Sequence, residues 1–253
     1  LPQTPVTREQ AAVMLNHLAV HNGDGIIAAA DLSGCSDAGT VSAWAEEDVQ
    51  WAVAKTILPL ENGLLDPQGT LTAAEAQAMA QRYAATALQT ASGSAYTDSS
   101  GGWVDPYNTF IRTYLVSLCK ELHDLGFDEV AFSYLQQPLS DTEVKYASQS
   151  GTPSRTDAVV SLAKYLRANL TATGLRVSAV VSADSILQSR AAQSGQDMAV
   201  FPKLFDRVCV FASADNVATL QSAIAADSSF DAATRFVPFL AKAPESGSYV
   251  TAG

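Results

Sequence analysis

Residues 103–138 read WVDPYNTFIRTYLVSLCKELHDLGFDEVAFSYLQQP, and this stretch decides the fold of the C-terminal half of the chain. Its first part has the apolar spacing of an amphipathic helix and ends at Gly126, a residue type that commonly follows a helix. The next run, FDEVAFSYL at 127–135, is rich in Val and Phe and predicts a buried strand. A helix that leads directly into such a strand is typical of an α/β domain.

The same alternation of strand and helix continues to residue 241. The further segments are strands at 175–183, 205–213 and 234–241, and helices at 155–170, up to about 201, and around 216–226. Val- and Phe-rich strands that alternate with helices indicate βαβ units and a parallel sheet. The second half is therefore predicted to be a parallel α/β domain.

The first half of the chain has a helical pattern instead. Helices are predicted to begin after Thr7, Ser42 and Thr72, and Glu75 follows Thr72 at the spacing of a capping box. Residues 91–102, ASGSAYTDSSGG, hold no aliphatic side chain larger than alanine and are typical of a linker. We therefore predict an all-α domain over 1–90, a linker over 91–102 and the α/β domain over 103–253.

The composition excludes several classes of protein. The net charge of −11 argues against nucleic-acid binding, which needs clustered basic residues, and no apolar run approaches the ~20 residues of a membrane span. Cys35, Cys119 and Cys209 stand apart and only three histidines occur, so we expect no disulfide framework, no metal site and no cofactor. Because the chain opens at Leu1 without Met, we expect that a secretory leader has been removed and that the protein is extracellular.

One resemblance covers about residues 5–86. The features that carry it are Ser36-Asp37, Trp44-Ala45, Asp66-Pro67-x-Gly69 and the Thr-x-x-Glu helix start at Thr72. In these features the segment resembles the S-layer homology repeat of Gram-positive surface proteins. The resemblance implies docking on a secondary cell-wall polymer, where the Arg of a Thr-Arg-Ala-Glu motif meets an anionic pyruvylated sugar. Arg8 keeps that position and is a candidate glycan contact, with a solvated first-turn residue as the alternative, whereas Ala73 has lost it.

A second resemblance begins at residue 103. The motifs Trp-x-Asp-Pro-Tyr-Asn at 103–108 and Gly-Phe-Asp-Glu at 126–129 resemble a family of glycoside hydrolases built on a TIM barrel. The similarity continues more weakly to about residue 241, and its four strands correspond to the C-terminal half of an eight-stranded barrel. The resemblance implies carbohydrate chemistry at the carboxyl ends of these strands.

The strand ends depart from that family pattern. Ser133 and Val180 stand where the family has Asp, and Gln136 stands where it has Arg. Because glycoside cleavage ordinarily needs two carboxyl groups, we predict no catalytic residue and name Ser133 and Val180 as degenerate positions. Asp128 and Glu129 precede the buried part of the strand, at the barrel end that usually serves stability, and are expected to be structural.

Aromatic side chains provide the other candidates for glycan contact, and these are Trp103, Tyr107 and Tyr134. Asp105 and Asn108, in the same motif as Trp103, are predicted to cap the helix that follows.

Half a barrel leaves strand edges and an apolar inner face without partners. A second copy of the chain, a partner chain that completes the barrel, or the first half of this chain is expected to cover them. The leading hypothesis is a cell-wall-associated, non-enzymatic protein that binds wall polysaccharide or another glycan, or assists assembly. The alternative is an active glycoside hydrolase acting on cell-wall or dietary polysaccharide. In a third hypothesis, a longer protein supplies the missing strands and acids.

Overall fold

The computed structural model describes residues 5–21, 29–225, 230–241 and 250–251. The helices in these ranges are α1 (Arg8–His21), α2 (Glu46–Ala54), α3 (Ala73–Ala84), α4 (Thr109–Asp124), α5 (Arg155–Leu170), α6 (Ala183–Ile186), α7 (Ala191–Ser194), α8 (Phe201–Leu204), α9 (Val217–Ile224) and α10 (Ala232–Arg235). The strands are β1 (Gln89–Thr90), β2 (Thr97–Asp98), β3 (Gly101–Gly102), β4 (Glu129–Phe132), β5 (Val144–Lys145), β6 (Arg176–Val181), β7 (Val208–Phe211), β8 (Phe236–Leu240) and β9 (Val250–Thr251).

The chain divides into two compact units. The first comprises Leu1–Phe110 with Glu143–Ser150, and the second comprises Ile111–Thr142 with Gly151–Gly253. None of the described helices has the length and apolar character that would let it cross a membrane.

Helices α1, α2 and α3 and the segment between α2 and α3 form much of the core of the first unit. The fully buried side chains of this core include Val49, Ile57, Leu58, Leu65 and Met79. The capping box of α3 is confirmed, because the Thr72 hydroxyl accepts a hydrogen bond from the Glu75 amide and the Glu75 carboxylate accepts one from the Thr72 amide. This reciprocal pair satisfies two backbone donors that a helix start otherwise leaves free.

Residues 91–102 are folded rather than a linker. Strands β2 and β3 pair within this segment, with Thr97 opposite Gly102, and β1 pairs antiparallel with β5. The Trp103 indole donates to the Asp98 carboxylate at 2.9 Å. Backbone pairing holds a segment that has little apolar area, so the first unit extends to Phe110 instead of ending before residue 91.

A parallel sheet with the order β4-β6-β7-β8-β9 forms the centre of the second unit. Its four longer strands lie within the four predicted segments, and the two-residue β9 was not predicted. Val177, Ala179 and Val181 alternate along β6 and belong to a buried cluster that also contains Val159 and Leu166 of α5. The prediction of a parallel α/β domain is confirmed for this unit.

Asp206 joins β6 to α5 at the amino end of the sheet. Its carboxylate accepts hydrogen bonds from the Arg167 guanidinium at 2.7 and 3.3 Å and from the Val177 amide at 2.8 Å. Burial raises the pKa of Asp206, but these hydrogen bonds and the charges of Arg167 and Arg235 outweigh that effect and hold the pKa below its ordinary value.

We expect Asp206→Asn to lower the free energy of unfolding by about 1–2 kcal/mol near neutral pH. Because the folded-state pKa lies below the unfolded-state value of about 3.9, the stabilisation is present above about pH 4 and is lost as pH falls through the folded-state pKa. Denaturation followed by circular dichroism at neutral and strongly acidic pH measures this difference. A gap between wild type and variant that stayed constant down to about pH 2 would contradict the expectation.

Candidate functional site

An open cleft of about 160 Å³ lies at the carboxyl ends of β4, β6 and β7. Its lining residues come from the turn after β4, from the end of β6 and from the end of β7, and they are Ser133, Tyr134, Gln136, Val180, Val181, Ser182 and Phe211. The carboxyl ends of parallel strands are where α/β folds place their ligands. This cleft is therefore the candidate functional site.

Tyr134 is presented to solvent at one side of the cleft. Its side chain is 66% exposed, and its backbone has a φ of 59°, in the left-handed region that a bulky residue seldom adopts. Such a conformation costs of order 1 kcal/mol and often occurs at ligand sites, where the surrounding structure maintains it. The fold thus exposes the aromatic ring of Tyr134 to solvent, although packing of the core does not require an aromatic residue there.

Phe211 provides a second exposed aromatic ring in the cleft. It is 60% exposed and packs edge-on against Phe239, with ring centroids 5.2 Å apart and an angle of 75° between the planes. Strands β4 and β7 flank β6, so their backbones lie about 10 Å apart at the ordinary strand spacing. The cleft therefore has an aromatic residue on each side of β6 and the hydroxyl and amide groups of Ser133, Gln136 and Ser182 around them.

The cleft lining contains no carboxylate among the residues that the structure describes. Both predicted degenerate positions, Ser133 and Val180, lie in this lining. A serine hydroxyl and an isopropyl group cannot protonate a leaving group or activate water as two carboxyl groups do. The described lining can hold a ligand by stacking and hydrogen bonding, and it offers no acid–base pair.

Glu129 lies at the opposite end of β4 from the cleft. Its carboxylate accepts a hydrogen bond from the Ser178 hydroxyl at 2.6 Å and forms ion pairs with Arg207 at 3.0 Å and Arg176 at 3.5 Å. Ser133 follows four residues later, roughly 13 Å further along an extended strand. Glu129 therefore joins the amino ends of three strands and does not reach the cleft.

Two other carboxylates near the sheet also have local partners. Asp184 forms an ion pair with Arg190 at 3.8 Å, and Asp197 accepts a hydrogen bond from the Ala199 amide at 2.8 Å. Neither residue belongs to the cleft lining. Within the described part of the chain, no group of three or more His, Cys, Asp or Glu residues could hold a metal ion.

The buried cysteines of the second unit are poor nucleophiles. Burial raises the pKa of the Cys119 thiol to about 11, and burial together with the Glu129 charge raises that of Cys209 to about 11. Since the thiolate is the reactive form, both thiols are inert near neutral pH. Both cysteines are therefore small buried residues of the second unit rather than reactive groups.

Arg8, the candidate contact with an anionic glycan, is buried in the first unit with 4% of its surface exposed. Its guanidinium donates to the carbonyl oxygens of Leu65 at 2.8 Å and Pro59 at 2.6 Å, and to the Glu61 carboxylate at 3.2 Å. The alternative of a solvated residue is therefore wrong, whereas the glycan contact of Arg8 stays a prediction. The position gives Arg8 a structural role, because a ligand would have to displace these partners.

The other aromatic candidates also belong to the first unit. Trp103 donates to Asp98, and Tyr107 packs edge-on against Tyr146 with ring centroids 5.5 Å apart. Of the aromatic residues predicted to contact glycan, Tyr134 is the one that the structure places in the cleft.

Asp105 and Asn108 connect separate segments of the first unit. The fully buried Asp105 carboxylate accepts from the amides of Tyr107 at 2.8 Å and Ser148 at 2.9 Å. The Asn108 side-chain amide donates to the Ala85 carbonyl at 3.0 Å. These contacts tie residues 85, 105–108 and 148 together, a wider role than the predicted capping of α4.

Sequence reasoning did not identify Phe211 or Ser182 as site residues. The usable signal for Phe211 was its place at the carboxyl end of β7, directly after the buried run from Val208 to Val210. Ser182 carried no signal of its own, because a serine after a strand is also a common helix cap, and here it does cap α6.

A comparison with protein families gives a match over residues 69–213, more than half of the chain, to a family described as "Putative glycosyl hydrolase domain" (DUF4015). The chain belongs to this family. The DUF4015 match begins upstream of residue 103, where the sequence pattern predicted its start, and it includes α3, β4, β6, β7 and the whole cleft lining. It supports a carbohydrate-related function, and no S-layer homology repeat is shown. No curated protein matches the chain.

Proposed function

We propose that this protein binds a glycan in the cleft at the carboxyl ends of β4, β6 and β7 and does not hydrolyse it. The observation that carries the proposal is the cleft lining, which combines two exposed aromatic residues with hydroxyl and amide groups and has no carboxylate among its described residues. Membership of a glycosyl hydrolase domain family supports a sugar as the ligand.

The lining has the two kinds of surface that a sugar ring requires. One face of a pyranose presents C–H groups that pack on an aromatic ring, and its rim presents hydroxyl groups that pair with serine and amide side chains. The volume of about 160 Å³ is smaller than the roughly 300–1,000 Å³ of sites that engulf a drug-sized ligand. The cleft therefore fits one sugar residue of a longer glycan rather than an enclosed oligosaccharide.

The proposed ligand is a neutral glycan. All the residues that line the cleft are uncharged, and the chain as a whole carries a net charge of −11. A polyanionic glycan would meet a repulsive field and would find no fixed cation in the described lining. A neutral sugar avoids both penalties.

The proposed location is the cell wall of a Gram-positive bacterium. This part of the proposal is supported by the resemblance of residues 5–86 to S-layer homology repeats. In this proposal the first unit is a docking or spacer module, with Arg8 holding its interior together, and the second unit contacts the glycan.

An active hydrolase is the second candidate function, and family membership favours it. Strand β4 bonds to β6 and lies at the edge of the described sheet, so a further strand from a second copy or another segment has a place to pair. Such a segment would have to bring the two carboxyl groups that cleavage requires. Light scattering in dilute solution tests whether a second copy pairs with the chain. That pairing remains a prediction.

Titration calorimetry with cellohexaose, laminarihexaose and oligogalacturonate tests the proposed function, together with chromatography of the incubated glycans. We expect a neutral hexaose to bind, the acidic glycan to bind more weakly, and no shorter products to form. Tyr134→Asn should weaken binding by about tenfold or more, because it removes the aromatic face while asparagine tolerates positive φ.

Phe127→Ala is the matched control, since Phe127 is an exposed aromatic residue that precedes β4 and lies outside the cleft lining. Its affinity for the glycan should equal that of the wild type. Release of shorter oligosaccharides would establish the hydrolase instead, and equal loss of binding in both variants would remove the cleft from the proposal.

A further inference from the structure

Gln196 lies directly behind the cleft and is fully buried. Its side-chain oxygen accepts a hydrogen bond from the Ser182 amide at 3.0 Å. Its side-chain nitrogen donates to the carbonyl oxygens of Val180 and Leu135, each at 3.3 Å. One amide side chain thus bonds to the end of β6 and to the turn that follows β4.

These partners are the backbone of the cleft itself. Val180 and Ser182 line it, and Leu135 lies between the lining residues Tyr134 and Gln136. An amide is suited to this position, because it supplies an acceptor and two donors in one plane. Serine, threonine or a carboxylate would leave at least one of these three backbone groups without its partner.

A chain of serine hydroxyls holds Gln196 in place. The backbone N–H of Gln196 donates to the Ser194 hydroxyl at 3.1 Å, and the hydroxyls of Ser194 and Ser185 lie 2.9 Å apart. Ser185 in turn lies 2.7 Å from the hydroxyl of Ser182. The network runs from Gln196 back to Ser182, which lines the cleft, so the position of Gln196 and the position of the β6 end are coupled.

We propose that Gln196 is a positioning residue that fixes the two walls of the cleft, the β4 turn that carries Tyr134 and the β6 end that carries Ser182, at the separation that accepts a sugar ring. Gln196 does not touch the ligand. That the ligand is a sugar rests on the proposed function. The bridging role of Gln196 between the two walls does not depend on that function.

The strain at Tyr134 explains why such a bridge is needed. The Tyr134 backbone is held in a left-handed conformation that it would leave if the turn were free. The hydrogen bond from Gln196 to Leu135, the next residue, is one restraint on that turn. Removing the bridge should let the turn relax and carry the aromatic ring away from Phe211.

Hydrogen–deuterium exchange of the ligand-free protein tests the bridge directly. Gln196→Met keeps the length of the side chain and removes all three of its hydrogen bonds. We expect exchange at residues 133–137 and 180–183 to become about tenfold faster, with α5 unchanged. Gln221→Met is the matched control, because Gln221 also donates to a backbone carbonyl, that of Ala232, and is not part of the cleft lining.

A pH profile of binding separates positioning from bulk stability. In Gln196→Glu the ionised carboxylate still accepts from Ser182 but repels the carbonyls of Val180 and Leu135, and the protonated form can donate to one of them. We expect its affinity for the neutral hexaose, relative to wild type, to recover by about fivefold or more between about pH 7.5 and pH 5.

The comparison with wild type at each pH removes the contribution of the surrounding charged and titratable groups. These groups are Asp184, Arg190 and Asp197 on the segments between β6 and α8, Asp141 and Arg155 beside α7, and Tyr134 in the cleft. All of them are present in both proteins. A Gln196→Glu deficit that did not change with pH would overturn the role of the donor hydrogen bonds.

The outcomes distinguish this inference from the proposed function. If wild type binds none of the glycans but exchange in Gln196→Met accelerates only around the cleft, the proposed function fails and the bridge stands. If exchange accelerates evenly through the sheet and α5, or does not change, the bridge is overturned whatever the glycan result.

Discussion

Arg8→Ala should lower the free energy of unfolding of the first unit by about 3 kcal/mol. The substitution leaves the carbonyls of Leu65 and Pro59 without their charged donor, in a site where Arg8 itself is 4% exposed. Hydrogen bonds to a charged donor contribute about 1.5–3 kcal/mol each, and the Glu61 partner adds little because its side chain is 59% exposed.

Tryptophan fluorescence during denaturation measures this effect selectively. All three tryptophans of the chain, Trp44, Trp51 and Trp103, lie in the first unit, so their emission reports on that unit. Arg82→Ala is the control, since Arg82 is an exposed arginine of α3, and it should change stability by no more than about 0.5 kcal/mol.

The same variant decides between the two roles considered for Arg8. Retention of the protein by purified cell-wall polymer should follow the folded fraction if Arg8 is structural. Weaker retention of an Arg8→Ala protein whose unfolding is unchanged would instead make the guanidinium a ligand contact, as the S-layer homology resemblance implies.

The architecture of the second unit was predictable from residues 103–241 because strand cores have a strong local signature. Runs such as Val208 to Val210 bury side chains on both faces, and few structures other than an interior strand accommodate them. The cleft was partly predictable for the same reason. Once the strands are located in the sequence, the positions of Ser133 and Val180 at their carboxyl ends follow directly.

The burial of Arg8 was not predictable, because its partners are backbone carbonyls 51 and 57 residues away. Any sequence supplies carbonyls, so no residue pattern marks which of them will meet a guanidinium. The folding of residues 91–102 was missed for a related reason, since their order comes from backbone pairing, that of β2 with β3 and of Gln89 with Ala95, rather than from apolar side chains. The role of Gln196 was missed for the same reason, because its side chain also bonds to backbone groups.

Gly195 precedes Gln196 and lies close against α5. It ends α7 with a φ of 73°, and a methyl group built on it would lie 2.5 Å from the carbonyl oxygen of Arg155 and 2.8 Å from a methyl carbon of Val159. Both α5 atoms are fixed, one by the helix backbone and the other by a fully packed core. The glycine is therefore required by conformation and by space at once.

We expect Gly195→Ala to destabilise the second unit by about 3 kcal/mol, the sum of about 1 kcal/mol for the left-handed conformation and about 2 kcal/mol for the overlap with α5. Gly174→Ala isolates the first of these terms, because Gly174 has a φ of 81° and open space around it, and it should cost about 1 kcal/mol. Thermal denaturation followed by circular dichroism compares the two. Equal losses would show that α5 yields to the methyl group. Unequal losses, accompanied by faster exchange at residues 133–137, would show that the close approach of Gly195 to α5 is what places Gln196 behind the cleft.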